Sequence, residues 1–335
     1  MWSLDNRTPY KVGRGWGRDK QGVHEWIVAV KGTFDIVPGG VPDLASEQLS
    51  PLLVADYAGK PGRSSVLYEA DILPQKPTTD ITLNATAYAP NGRPSTSFPV
   101  TMTVGSVQKA LRVIGDRRWM RTPVGLAVTE TQPVRSVPIR YERAYGGYDD
   151  SGPDVRAHRI DLRNPVGRGI FAESGRASGQ PLHNFEYPSG SPEKSGPAGF
   201  GALDSHWSPR REYAGTYDLA WQQTRSPLLA ADWDPRSLQC APRDQQPSAH
   251  LRGGELVQLI NLTPNGRLSF VLPKAYFTFT TRIRSRKEEH RSRLTSVIIE
   301  PDANRLIMVW TSTLACPTDV DYLEETTIRL KPFLQ

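Results

Sequence analysis

The chain has 335 residues, 38% of them hydrophobic, with 28 Gly and 29 Pro. It is long enough for one large or two ordinary domains, and this composition favours short strands and many turns over long helices. The formal charge of +6 is carried by scattered arginines instead of lysine blocks, which argues against a dedicated nucleic-acid surface. Cys240 and Cys316 alone cannot build a disulfide framework or a Cys-rich zinc site. No secretory leader or apolar run of membrane length is visible, so a cytoplasmic protein without membrane insertion is expected.

In chain order, Val12–Gly22 (VGRGWGRDKQG) has spaced glycines but opens no helix, and reads as a mobile turn in preference to a phosphate cradle. His24–Val37 (HEWIVAVKGTFDIV) is a β-branched, aromatic strand that stops at Pro38. Two alternating runs flank Asn91-Gly92, which signals a hairpin, and Leu111 and Val113 fall on one face of the run that follows. From Gly146 to Gly215 Gly and Pro punctuate the chain densely. Phe171, Phe185, Phe200, Trp207 and Tyr213 nevertheless recur there, which favours an ordered, loop-rich layer pinned by aromatics over disorder. GTYDLAWQQTR offers a short helix with Thr216 as its cap. In the last third Asn265-Gly266 marks a second hairpin. YFTFTTRIRSR alternates with Phe277, Phe279, Thr281 and Ile283 on one face, and with RLTSVIIE and RLIMVWTST it reads as a three-stranded meander.

The expected fold is therefore mainly β. Antiparallel sheets, sandwich-like or barrel-like, carry a long Gly/Pro-rich middle layer and one or two short helices. Residues 1–130 form an N-terminal β region, 131–250 the loop-rich region and 251–335 a C-terminal β meander, together one compact unit.

No nucleophile elbow, HExxH, Walker loop or Rossmann glycine fingerprint occurs, so no catalytic residue is assigned. His24, His158, His183, His206, His250 and His290 never pair at metal-ligand spacing, and no metal or cofactor is expected. The pairs Asp232/Asp234 and Asp319/Asp321 have the spacing a hard cation could use, but read more simply as turn and strand-end residues. An enzyme reading would need two opposed carboxylates from among Asp56, Asp71, Glu142 and Glu186, and nothing singles out a pair. In RYERAYGGYDD, an extended Ile139–Tyr145 would put Tyr141, Arg143 and Tyr145 on one face, with Arg140 and Glu142 opposite and Glu142 between two arginines. That is either a sheet face with cross-strand ion pairs or a docking surface rich in the Arg and Tyr of binding hot spots.

The ordered series NRTPY, AVKGTF, ADILPQKPTTD, GDRRW, RYERAYGG, NPVGRG, WSPR, AGTYD, APRDQQ and LRGGE, from about Asn6 to Pro273, resembles a bacterial family catalogued as DUF2169 and found beside genes of the type VI secretion system. The resemblance implies a non-enzymatic cytoplasmic adaptor or chaperone. Its partners would be a toxic effector, possibly with a PAAR-like region, and the VgrG spike onto which the effector is loaded. Motif positions offered for partner binding are Arg140, Tyr141, Glu142, Arg143, Tyr145, Trp207, Arg210 and Tyr217. Gly146, Gly147, Asn164, Pro165, Gly167, Pro209, Gly215, Thr216 and Asp218 also match. Trp233 stands where the family pattern has Phe, and the pentapeptide repeats of some relatives are not present in this sequence. The rival expectation is a carbohydrate- or peptide-processing enzyme with a carboxylate site in the middle region.

Overall fold

The computed structural model describes residues 2–151, 154–172, 174–317 and 320–331. Strand accounts for 42% of the chain and helix for 12%, and the sheets are open, with no closed barrel among the described residues. Three sheets carry the fold. A six-stranded sheet runs Lys11–Arg18, His24–Asp35, Arg305–Cys316, Arg293–Glu300 and Asp80–Leu83, with Asp43–Leu44 paired to the end of His24–Asp35. A five-stranded sheet runs Phe185–Glu186, Val107–Ile114, Ser97–Val104, Leu256–Ile260 and Arg267–Val271. A four-stranded sheet runs Ser3–Arg7, Leu323–Leu330, Phe277–Ile283 and Arg286–Arg291. N- and C-terminal segments interleave: His24–Asp35 pairs with Arg305–Cys316, and Ser3–Arg7 lies parallel to Leu323–Leu330.

The three sheets share one apolar core. Val28 and Val30 of the first, Met102 and Leu259 of the second, and Phe279 and Ile328 of the third all belong to it and are buried. Each such side chain contributes roughly 1.5–3 kcal/mol by leaving water. The six-stranded sheet is covered on its other face too, where Ala29, Ile307 and Val309 meet Leu49, Tyr68 and Ile72. This two-sided burial is why the runs IVAV (Ile27–Val30) and LIMVW (Leu306–Trp310) are continuously apolar instead of alternating.

Several local expectations need correction. Val12–Gly22 is no mobile turn: its first residues belong to Lys11–Arg18, an edge strand, and a Cβ on Gly15 would collide with Ile72. The Asn91-Gly92 turn forms, with both residues at positive φ, yet it closes no hairpin. Pro90 and Pro94 remove ladder donors on either side, so Thr86–Tyr88 pairs with Ser136–Pro138, and Ser97–Val104 pairs with Val107–Ile114. The second hairpin, across Asn265-Gly266, is present as read. The meander is split. Phe277–Ile283 turns into the wet strand Arg286–Arg291, and the chain then crosses to the six-stranded sheet, because Leu294–Glu300 is buried on both sides. Four short α-helices are described, Ser174–Ala177, Pro192–Ser195, Arg210–Tyr213 and Leu219–Thr224, where one or two were expected. The last is capped by Asp218 and not by Thr216, whose hydroxyl donates to Asp232.

A hydrogen-bond relay ties the four-stranded sheet to the six-stranded one. Ser312 Oγ donates to the Arg291 carbonyl (2.9 Å), so it must accept from His290 Nδ1 (2.6 Å). Nε2 of the neutral ring then accepts a hydrogen bond from the Thr281 hydroxyl (2.7 Å). Thr281 Oγ1 in turn accepts from Thr326 Oγ1 (2.7 Å), which accepts from Trp26 Nε1 (2.9 Å). Every donor points one way, leaving no acceptor for a second imidazole proton.

Burial accordingly brings the His290 pKa down to about 4. In the unfolded chain it titrates near 6.5. As pH falls from about 6.5 towards about 4 the unfolded state takes up a proton that the native state refuses, so stability present at neutral pH is lost in that window. Discounting for the partial exposure of the ring, this amounts to about 2 kcal/mol. Chemical denaturation of wild type and His290→Gln at pH 7 and pH 5 checks this: the wild type should lose more stability on acidification than the variant. Equal losses would remove His290 as the cause.

Candidate docking site

Two layers make up the site: a buried polar lattice, and a cleft whose wall the lattice holds. The lattice begins at ADILPQKPTTD. Lys76 and Asp80 are both buried and pair at 2.7 Å, with Lys76 Nζ also donating to Ser296 Oγ. Asp80 accepts from the backbone N–H groups of Cys240 and Ala241 and from the Cys240 thiol. Burial pushes the Lys76 pKa down, but the Asp80 carboxylate more than offsets this and raises it above the ordinary lysine value. Burial and the same carboxylate raise that of Cys240, so its thiol is not poised as a nucleophile. Lys31 pairs with Asp71 at 2.8 Å, both side chains 3% exposed, and Arg210 pairs with Glu69 at 2.6 Å while donating to the Leu203 and Ser237 carbonyls.

A fourth buried cation, Lys109, donates to Asp244 and Gln245 and lies over the rings of Tyr187 and Phe200. Burial, only partly countered by Asp244, lowers its pKa to about 8. Gln245 reaches on to the carbonyls of Ile81 and Phe200, which fastens APRDQQ to the sheet edge.

The RYERAYGG segment is built differently from the extended strand expected for it. Tyr141–Arg143 is a 3-10 turn. Glu142 does not sit between arginines; it accepts from the Ser65 N–H (2.8 Å) and hydroxyl. Arg143 donates to Asn184. Tyr141 is buried edge-on against Trp207, also buried, with ring centroids 5.5 Å apart, and Tyr145 is buried against His183. Asn164 closes the segment by donating to the carbonyls of Tyr141 (2.8 Å) and Tyr145 (2.9 Å). Gly146 has a φ of 142°, and any Cβ there would strike the Asn164 carbonyl. Tyr141, Tyr145, Trp207 and Arg210 therefore face the interior, Glu142 and Arg143 are half-buried and locally bonded, and Arg140 and Tyr217 are exposed. Phe185 and Phe200, fully buried, pin the middle layer as the aromatic pattern suggested.

The same 75–80 stretch whose inner side chains enter the lattice forms one wall of a cleft of about 850 Å³. Thr78 Oγ1 donates to the Pro247 carbonyl, Thr79 Oγ1 accepts from the Leu251 N–H and donates to the Leu294 carbonyl, and His250 Nε2 meets the Lys76 carbonyl. These bonds hold Ser248–Arg252 beside the corner at Ser292, where the chain leaves the four-stranded sheet for the six-stranded one. Leu251, Phe277, Leu294 and Trp310 give the cleft an apolar floor. Arg252, Arg291, Arg293 and Lys331, all exposed, line it, and among the described residues no carboxylate does. Among the described residues none of these four cations has a salt-bridge partner. Glu255, three residues from Arg252, accepts from the Arg252 backbone N–H. Burial lowers the His250 pKa, and the neighbouring Arg293 charge lowers it further. Composition concealed this cleft, because its cations come from three separated stretches of the chain; LRGGE holds Arg252 and RKEEHRSR holds Arg291 and Arg293.

A family model described as "Uncharacterized protein conserved in bacteria (DUF2169)" matches residues 21–311. The chain belongs to this family. No curated protein and no solved structure matches it. In this DUF2169 chain the motifs that carry the resemblance converge on the lattice: ADILPQKPTTD supplies Asp71, Lys76 and Asp80, WSPR supplies Arg210, APRDQQ supplies Asp244 and Gln245, and NPVGRG supplies Asn164.

No cluster of His, Cys, Asp and Glu suited to a metal occurs among the described residues. Asp232 and Asp234 serve turns, accepting from Thr216 and Arg236; Asp319 lies outside the described residues. No helix among the described residues is long and apolar enough to cross a membrane.

Removing the Asp80 charge should expose what the lattice contributes. Asp80→Asn leaves Lys76 buried beside a neutral amide, an uncompensated charge costing about 3–5 kcal/mol. Urea unfolding should show a lower midpoint at unchanged slope, with Lys76→Met/Asp80→Leu less affected. A cost below about 1 kcal/mol would mean that water reaches the pair.

Proposed function

We propose that this DUF2169 protein is a cytoplasmic, non-enzymatic adaptor that holds a type VI secretion effector, with any PAAR-like region, until it is loaded onto the VgrG spike. The carrying observation is the open basic cleft, whose cations are presented to solvent over an apolar floor. Such a rim and floor suit a polypeptide more than a metabolite, since small-molecule sites use a few enclosed polar groups to fix orientation.

The carboxylates considered for an enzyme point the same way. Glu186 is opposed by burial, yet hydrogen bonds from His183, Arg112 and Arg117 bring its pKa down to about 2. Asp71 is paired with Lys31, Glu142 is bonded to Ser65, and Asp56 accepts from the Tyr57 N–H. Glu186 thus lacks the raised pKa that a general acid needs at neutral pH.

The adaptor acts by mass action. Binding the folded client and not its unfolded chain stabilises the client by about 2.7 kcal/mol when the adaptor stands about 100-fold above Kd. The buried motif residues act indirectly, by keeping the cleft wall in place, and Arg140 and Tyr217 remain available on the surface for direct contact.

Co-expression of the neighbouring effector gene with and without this chain tests the proposal. Effector yield, solubility and secretion should each fall several-fold without it, and the effector should co-purify with it. Unchanged yield, solubility and secretion overturn the adaptor reading. Within that assay, Tyr141→Ala should lower the melting temperature and client retention together, as expected of a residue packed against Trp207.

A further inference from the structure

The cleft also indicates which part of a client it takes, an inference that rests on the adaptor reading. Arg252 comes from the loop after Ser248, Arg291 and Arg293 flank the sheet-switching corner, and Lys331 follows Leu323–Leu330. Three separate places in the chain therefore bring four like charges to one opening, which costs electrostatic self-repulsion and is not relieved by any carboxylate among the described lining residues. Elsewhere this chain pairs its cations readily, as in Lys31–Asp71, Lys76–Asp80, Arg163–Asp161 and Arg305–Glu300.

The depth of the opening is apolar. Leu251 and Leu294 come from the two walls, and Phe277 and Trp310 from the joined sheets. Phe277 and Trp310 pack edge-to-face with centroids 5.1 Å apart and keep little exposed area, so their rings offer no face on which successive bases could stack. Their edges still form a surface against which one apolar side chain can rest.

We infer that the cleft binds an extended, acidic polypeptide segment of the partner, its carboxylates meeting Arg252, Arg291, Arg293 and Lys331 while one apolar side chain rests on the Leu251–Leu294–Trp310 floor. Arginine is suited to this because its planar fork takes a carboxylate in bidentate fashion. Solvent-exposed pairs of this kind speed encounter and select for charge sign, while the apolar contact sets residence time.

The probe is a dye-labelled peptide of about 12 residues, mostly glutamate with one central tryptophan, titrated with the full chain by fluorescence anisotropy. Binding should weaken at least about tenfold when NaCl is raised from about 50 mM to about 500 mM, and by a similar factor in Arg252→Glu/Arg293→Glu. A glutamine-for-glutamate peptide should bind poorly, and a serine in place of the tryptophan should weaken binding by several-fold. If the charge-reversed protein melts lower than wild type, Arg291→Gln/Lys331→Gln replaces it, with a loss of about threefold or more expected. Equal binding by wild type and variants, indifference to salt, or tighter binding of an oligouridylate of the same length overturns the inference. Retention of the co-expressed effector separates the two readings: a charge-reversed cleft that still holds the effector sinks the acidic-segment inference alone, whereas an effector that wild type never holds sinks the adaptor.

Discussion

The Lys76–Asp80 pair, buried at the edge of the six-stranded sheet, is the constraint on which the site's construction depends. Two full charges out of water are tolerated because Asp80 also accepts two backbone N–H groups and a thiol, and Lys76 also reaches Ser296. Those bonds fix where the Cys240–Ala241 backbone crosses the sheet edge. The adjoining stretch, through Thr78, Thr79 and the Lys76 carbonyl, then fixes Pro247–Leu251. A loop-rich layer with little regular structure of its own is thereby given a definite position. Buried ion pairs are weak sources of net stability, and their value here is specificity of arrangement.

The same logic explains why the middle third can be so poor in strands and helices and still be ordered. Besides its turns and short strand pairs, several of its backbone carbonyls are satisfied by buried side chains. Asn164 serves the Tyr141 and Tyr145 carbonyls, Gln245 serves those of Ile81 and Phe200, and Arg210 serves those of Leu203 and Ser237. Buried amide and guanidinium groups add to the backbone bonds where a continuous sheet ladder is missing. Aromatic anchors add the apolar area that these loops otherwise lack.

What the sequence made legible follows from range. His24–Asp35, the Asn265-Gly266 hairpin and the alternation of Phe277, Phe279, Thr281 and Ile283 depend on neighbours in the chain, and local pattern shows them. The RYERAY turn depends on Asn164 and Trp207, the Asn91-Gly92 partners on distant strands, and the fate of RLTSVIIE on having apolar cover on both faces. No window of a dozen residues contains that information. The cleft was harder still, since its cations are separated by as much as the distance from Arg252 to Lys331. The Arg- and Tyr-rich motif looked like a surface because its composition matches hot spots, but Tyr141 and Tyr145 are as useful for filling an interior against Trp207 and His183.

Placing the paired and unpaired cations side by side separates scaffold from surface. Lys31, Lys76, Lys109 and Arg210 are buried, and each meets a carboxylate, because an unpaired charge there would unfold the region. Arg252, Arg291, Arg293 and Lys331 stand in water, where hydration meets the need for a partner and leaves their charge free to act at a distance. Folding alone therefore accounts for the first group and asks nothing of the second. Exposed like charges gathered around an apolar floor cost a little stability and return none within the chain. Their arrangement gains an energetic rationale only when something of opposite charge, carrying an apolar group to cover the floor, completes it.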